Sequence, residues 1–179
     1  MREGRSTLPA RRGHLHTGSE VIQDMFNRIL VAIDGSHYSR AALPAAIEIA
    51  KKFDAKLFIL HVAEHDRGRA AAYSLESPAE QTRLVAEAVK EAQAAGVKAK
   101  GELVDRAAGH VPFAIADAAR EDEADLIVMG SRGLSDAAGM FLGSVTHRVI
   151  QLADVPVMIA RSKKVQPKAA EPEIAASRA

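Results

Sequence analysis

Four short stretches of the chain are almost unbroken apolar runs: Ile29–Ile33 (ILVAI), Leu57–Val62 (LFILHV), Leu126–Met129 (LIVM) and Val155–Ala160 (VPVMIA). Such runs, four to six residues long and without alternation, are expected of parallel strands that helices bury on both faces. A fifth stretch, Val97–Val104 (VKAKGELV), alternates apolar and polar positions and reads as an edge strand. Between them lie segments of helical character: Arg40–Lys52, Pro78–Ala95, Val111–Glu121 and Ser144–Leu152. Strand and helix thus alternate as βαβαβαβαβ. Right-handed crossovers turn that order into an open, doubly wound, five-stranded parallel α/β sheet. With strands one and four adjacent where the winding reverses, the strand order is 3-2-1-4-5.

Local signals mark several helix ends. Ser77-Pro78-Ala79-Glu80 combines an N-cap serine, a first-turn proline and the glutamate of a capping box, and Gly96 stands where a glycine would end that helix. Pro44 falls inside Arg40–Lys52, so that helix is expected to start or bend there. The polar stretch Ala63–Ser77 is long for a connection and reads as a mobile segment or a lid.

With 179 residues, 47% of them hydrophobic, the chain fits one globular domain, expected over residues 26–162. Residues 1–25 are basic without the apolar core of a secretory signal and read as a disordered extension, Met25 being a possible domain start. Residues 163–179, rich in Lys, Pro, Ala and Glu, read as a disordered tail, with a contact surface as the alternative. No apolar run approaches a membrane span. The absence of cysteine excludes thiolate chemistry and fits a reducing cytoplasm. Residues 26–160 carry 15 Lys and Arg against 18 Asp and Glu, so nucleic acid is not an expected partner.

In an open parallel sheet, ligands bind beyond the carboxyl ends of the strands. Two loops there are unusual: Asp34-Gly35-Ser36 after the first strand, and a glycine-rich loop after the fourth. The second has the spacing Gly130-x2-Gly133-x9-Gly143-Ser144, with Ser144, Val145 and Thr146 opening a helix. Glycines let the backbone come close to a ligand, and free N–H groups at a helix start favour a phosphate. Neither the P-loop nor the dinucleotide pattern G-x-G-x-x-G occurs. The seven histidines are scattered without metal-ligand spacing, and Asp122, Glu123 and Asp125 read as a solvated turn.

The full spacing G-x2-G-x9-G-[ST] resembles the nucleotide-binding signature of the universal stress protein family, in its ATP-binding branch. The segments RILVAIDGSHYSRAAL, ADLIVMGSRG and LGSVTHRVIQLADVPVMIAR resemble it too, so that the likeness covers residues 26–161. It implies an adenine held by backbone groups at Val62 with Ala32 and Ile33 as apolar walls. It also implies Met129 and Gly130 along the sugar, Arg132 and Gly133 near the phosphates, and Gly143, Ser144, Val145 and Thr146 around the outer phosphates. Asp34 is assigned to the ribose, with a role through Mg²⁺ or Mn²⁺ as second choice; a plain Asp-Gly-Ser turn remains open, as does simple solvent exposure for Arg132. No protein-only metal site is expected, the ion being held mainly by ATP.

The resemblance implies an ATP-binding regulator in a stress response, acting on a downstream protein partner. The alternative is a slow ATPase or phosphotransferase; the absence of a lysine from both loops argues against rapid phosphoryl transfer. The last strand, Val155–Ala160, is an apolar edge, and the family often dimerises through it. A homodimer is therefore expected, tempered by Pro156, which lacks an N–H donor.

Overall fold

The computed structural model describes residues 25–36, 39–65, 77–133 and 142–161. In chain order these form β1 (Arg28–Ile33), α1 (Ser39–Phe53), β2 (Lys56–His65), α2 (Pro78–Ala94), β3 (Ala99–Ala107), α3 (Val111–Glu121), β4 (Leu126–Gly130), α4 (Ser144–Leu152) and β5 (Val157–Ala160). The strands make one parallel sheet in the order β3-β2-β1-β4-β5. Both β1 and β4 are interior, which explains their unbroken apolar sequences.

Alternate residues of the central strands feed two separate cores. Ile29, Val31 and Ile33 of β1, with Leu57, Ile59, Leu126 and Val128, pack under Ala42, Leu43, Ala46, Ile47 and Ala50 of α1 and Ala88 and Ala92 of α2. Leu30, Phe58, Leu60, Ile127 and Met129 point the other way, against Ile115 and Ala119 of α3 and Val149 of α4. Each such bulky side chain contributes roughly 1.5–3 kcal/mol by leaving water. Among the described residues no helix is long and apolar enough to cross a membrane.

Four local expectations change. Helix α1 runs on through Pro44 rather than starting there. Pro44 is exposed, and the donor it lacks would have met the Arg40 carbonyl in the first turn, so the loss is one solvent-side hydrogen bond. The helix start is capped by Ser36, whose Oγ accepts from the Ser39 N–H (3.1 Å) and whose carbonyl accepts from the Arg40 N–H (3.2 Å). Strand β2 continues through Ala63, Glu64 and His65 because β3 extends with it, pairing His65 with Ala107; the 66–76 part of the suggested lid lies outside the described residues. The acidic turn is more than solvated: Asp125 accepts from the backbone of Asn27 (2.6 Å) and Arg28 (3.2 Å), Asp122 pairs with Lys100 and Glu123 with Arg28, anchoring the start of β1. Finally, Pro156 precedes β5 and its carbonyl accepts from Ile127 (3.0 Å). It therefore faces β4, and its missing donor does not lie on the outer edge. The expected tail, residues 163–179, lies outside the described residues, as does the expected extension, residues 1–25, up to residue 24.

Candidate functional site

Strand β1 ends opposite His61 of β2, and the chain leaves the sheet as a turn in which the Asp34 Oδ1 accepts from the Ser36 N–H (3.0 Å). The turn-forming role left open for Asp34 is therefore real, yet it occupies one oxygen only. The Asp34 Oδ2 points across to Gly133: a Cβ there would lie 2.5 Å from it. The first and fourth strand loops are in contact, as their adjacency in the sheet requires.

The two ends of the glycine loop are stitched together. The Gly143 N–H donates to the Ser131 carbonyl (2.8 Å), the Ser131 N–H to Ala160 (3.2 Å), and the buried Thr146 hydroxyl to the Gly130 carbonyl (3.0 Å). A Cβ on Gly143 would stand 3.2 Å from the Arg132 Cα. The glycine at 143 thus serves a backbone-to-backbone approach rather than an unusual dihedral angle, since its φ is −70°. It sits at the N-cap of α4, which has no side-chain cap. Donors at Ser144, Val145 and Thr146 consequently meet a positive helix end at the crevice. The Thr146 hydroxyl is engaged by the Gly130 carbonyl, so here, as at Ser144 and Val145, the backbone N–H is the donor left for a ligand.

All twelve expected residues, Ala32, Ile33, Asp34, Val62, Met129, Gly130, Arg132, Gly133, Gly143, Ser144, Val145 and Thr146, line one cavity of about 370 Å³. Its remaining wall escaped sequence reasoning: Leu60, His61 and Glu64 of β2, Ser39 of α1, Gln81 of α2, and Val111 and Ile115 of α3 among them. Val111 and Ile115 carry the i, i+4 signal of one helix face, but nothing local says that this face meets the crevice. His61 was legible as a polar residue inside an apolar run. It is 3% exposed and its Nδ1 lies 2.8 Å from the Ile33 carbonyl, which can only accept; the ring therefore caps the last carbonyl of β1 just before Asp34. Its Nε2 is the one buried side-chain polar atom without a hydrogen-bond partner among the described residues.

A second cleft, about 360 Å³, opens at the amino ends of the strands, lined by Arg28, Lys56, Lys98, Lys100 and Asp122. Equal volume does not make it an equal site. Arg28 and Lys100 are tied to Glu123 and Asp122, and helix carboxyl termini gather at this end of a βα sheet, where cations are favourable for the fold itself.

Comparisons with known proteins agree with this architecture. Residues 25–161 match the universal stress protein family. The universal stress protein YxiE of Bacillus subtilis is 37% identical over 156 residues, covering 76% of this chain and 100% of that protein. A universal stress protein of Thermus aquaticus is 35% identical over 139 residues, covering 76% and 100%. Among solved structures, a universal stress protein in complex with cAMP is 30% identical with a TM-score of 0.61, over 78% of this chain and 99% of its own. Sequence, strand order and the matched span lead to one conclusion: the chain belongs to the universal stress protein family.

Proposed function

We propose that the crevice binds ATP and that the protein is a nucleotide-dependent regulator acting in the cytoplasm during stress. The observation that carries this reading is the uncapped start of α4, whose backbone donors line the cavity beside Gly133 and Gly143. Support comes also from the relative solved with cAMP, an adenine nucleotide. In this reading Ser144–Thr146 donate to the outer phosphates, Arg132 and Gly133 lie beside them, and Met129 and Gly130 follow the sugar. Asp34 accepts from a ribose hydroxyl through Oδ2, while Ala32, Ile33 and Val62 enclose the base. Mg²⁺ or Mn²⁺ would be held mainly by the phosphates, with Asp34, beside Gly133, as a second-choice protein carboxylate for it. The ion would neutralise phosphate charge.

No lysine is among the described cavity-lining residues, which favours binding over rapid phosphoryl transfer. Calorimetry on nucleotide-free protein should show saturable ATP binding; no heat at millimolar ATP would end the reading. Single-turnover incubation with Mg-ATP should leave the nucleotide intact, whereas rapid product formation abolished by Asp34→Ala would establish the enzyme instead.

The same proposal includes a homodimer through Val155–Ala160. Because the Pro156 and Ala160 carbonyls face β4, strand alternation sends the peptide groups of Val157 and Ile159 to the outer edge, where Met158 is 39% exposed. Sedimentation should give twice the chain mass, and Met158→Glu should restore the monomer.

A further inference from the structure

Resting on the nucleotide reading above, we propose that His61 is the positioning residue of the ribose contact: its Nδ1–H holds the peptide between Ile33 and Asp34 so that the Asp34 carboxylate meets a ribose hydroxyl. Leu57 and Ile59 lie in the core beneath α1 and α2, and alternation along β2 puts His61 on that same face. A leucine there would continue the pattern. Instead an imidazole is buried to 3% exposure, with Nδ1 bonded and Nε2 without a partner among the described residues. Burying a polar ring on those terms costs stability. A side chain that breaks the core pattern at the cavity wall belongs to the site rather than to the core.

The bond falls on a single peptide. Ile33 is the last residue of β1 and has a register partner on β2 only, since pairing with β4 ends at Ala32 and Met129. Its carbonyl shares one rigid plane with the Asp34 N–H, so a donor 2.8 Å from that oxygen fixes the direction in which the chain leaves the sheet. A carbonyl can only accept, which puts a proton on Nδ1 and leaves the role to that nitrogen.

Beyond that peptide the turn is bonded to itself. The Asp34 Oδ1 accepts from the Ser36 N–H (3.0 Å), the Ser36 Oγ from the Ser39 N–H (3.1 Å), and the Ser39 hydroxyl donates to the Ser36 carbonyl (3.1 Å). The turn is therefore held inside by its own bonds and joined to β1 by one plane, whose rotation would swing the carboxylate as a whole. Little swing is tolerable, because Oδ2 already lies where a Cβ on Gly133 would stand 2.5 Å from it. His61 supplies the restraint from the neighbouring strand.

The test compares ATP with 2′-deoxy-ATP and 3′-deoxy-ATP on the full chain by calorimetry. Wild-type protein should bind the analogue that lacks the contacted hydroxyl about tenfold more weakly than ATP, as expected for one hydrogen bond to a charged acceptor. His61→Leu, which suits the apolar face but has no donor, should bring that ratio close to one. A purely structural role would weaken all three ligands alike and leave the ratio standing. His61→Asn carries an N–H the same number of bonds from the backbone as Nδ1 and should restore the ratio. A ratio unchanged in a folded His61→Leu overturns the assignment, as does one lost equally in His61→Asn. Two observations need no variant: imidazole ¹⁵N spectra of the wild-type chain should show the His61 proton on Nδ1, and a proton on Nε2 alone overturns the assignment. So do equal wild-type affinities for ATP and both analogues, with nucleotide binding left standing. Failure of ATP itself to bind overturns the underlying reading and this inference with it.

Discussion

Helices α2 and α4 begin in opposite ways. At the start of α2 the Ser77 side chain accepts from the Glu80 N–H (3.3 Å) and Glu80 returns to accept from the Ser77 N–H (2.6 Å), with Pro78 at the first position. A side-chain cap, its reciprocal glutamate and a first-turn proline are all present. At the start of α4 the N-cap is a glycine with no side-chain bond, although its φ of −70° and ψ of 157° are ones a capping serine adopts. A serine's Cβ would stand 3.2 Å from the Arg132 Cα, so that the neighbouring backbone would have to yield by a few tenths of an ångström to admit it. The contrast teaches that α4 is open because the adjoining loop is folded against it, and that the unsatisfied donors are directed at a cavity.

Closing α4 is the sharpest way to break the contrast. Gly143→Ser should lower ATP affinity by about tenfold to a hundredfold, because the clash displaces residues 131–133 and the new hydroxyl competes for the same donors; calorimetry measures it, and unchanged affinity would move the phosphates elsewhere. Next in size, Thr146→Val strands the Gly130 carbonyl that Thr146 now satisfies, costing about 1–3 kcal/mol in urea unfolding. Opening α2 by Ser77→Ala should cost about 1 kcal/mol of stability and leave ATP affinity unaltered, since Ser77 is not among the residues that line the cavity. The smallest effect is pH-dependent. The hydrogen bond from the Ser77 backbone, then that from its side chain, hold the Glu80 carboxyl below its ordinary value of 4.5. Its stabilisation is therefore complete above that value and lost as pH falls through the lowered one. Glu80→Gln should flatten this acid-side slope of the unfolding midpoint, and an unchanged slope would show the box to be idle.

How far the chain could be read follows from where each signal lives. The α2 cap was legible because all its partners fall within four residues. Helices α3 and α4 matched their expected bounds, and the strand order followed from apolar runs and crossover rules. The crevice loops were legible as glycine and hydroxyl positions after strands one and four. Glu64 was hidden inside a stretch that looked like a connection, because only pairing with β3 reveals that β2 continues. Pro44 did not mark the helix start, because a proline signals lost bonding without saying how early in the helix, or on which side, the loss falls. His61 looked like one of several scattered histidines until the end of β1 was placed beside it.

The sequence by itself determined the alternation of strand and helix, the two-sided burial of the central strands and the glycine spacing, since these depend on periodicity and on neighbours along the chain. Only the tertiary structure decided what the glycines are for. Gly133 makes room for a carboxylate 99 positions earlier, and Gly143 for the backbone of residues 131–133. It also decided that β2 overhangs β1 and so carries Glu64 over the cavity. Such contacts join residues far apart in the chain, and their meeting is set by strand register and packing, which no local pattern encodes.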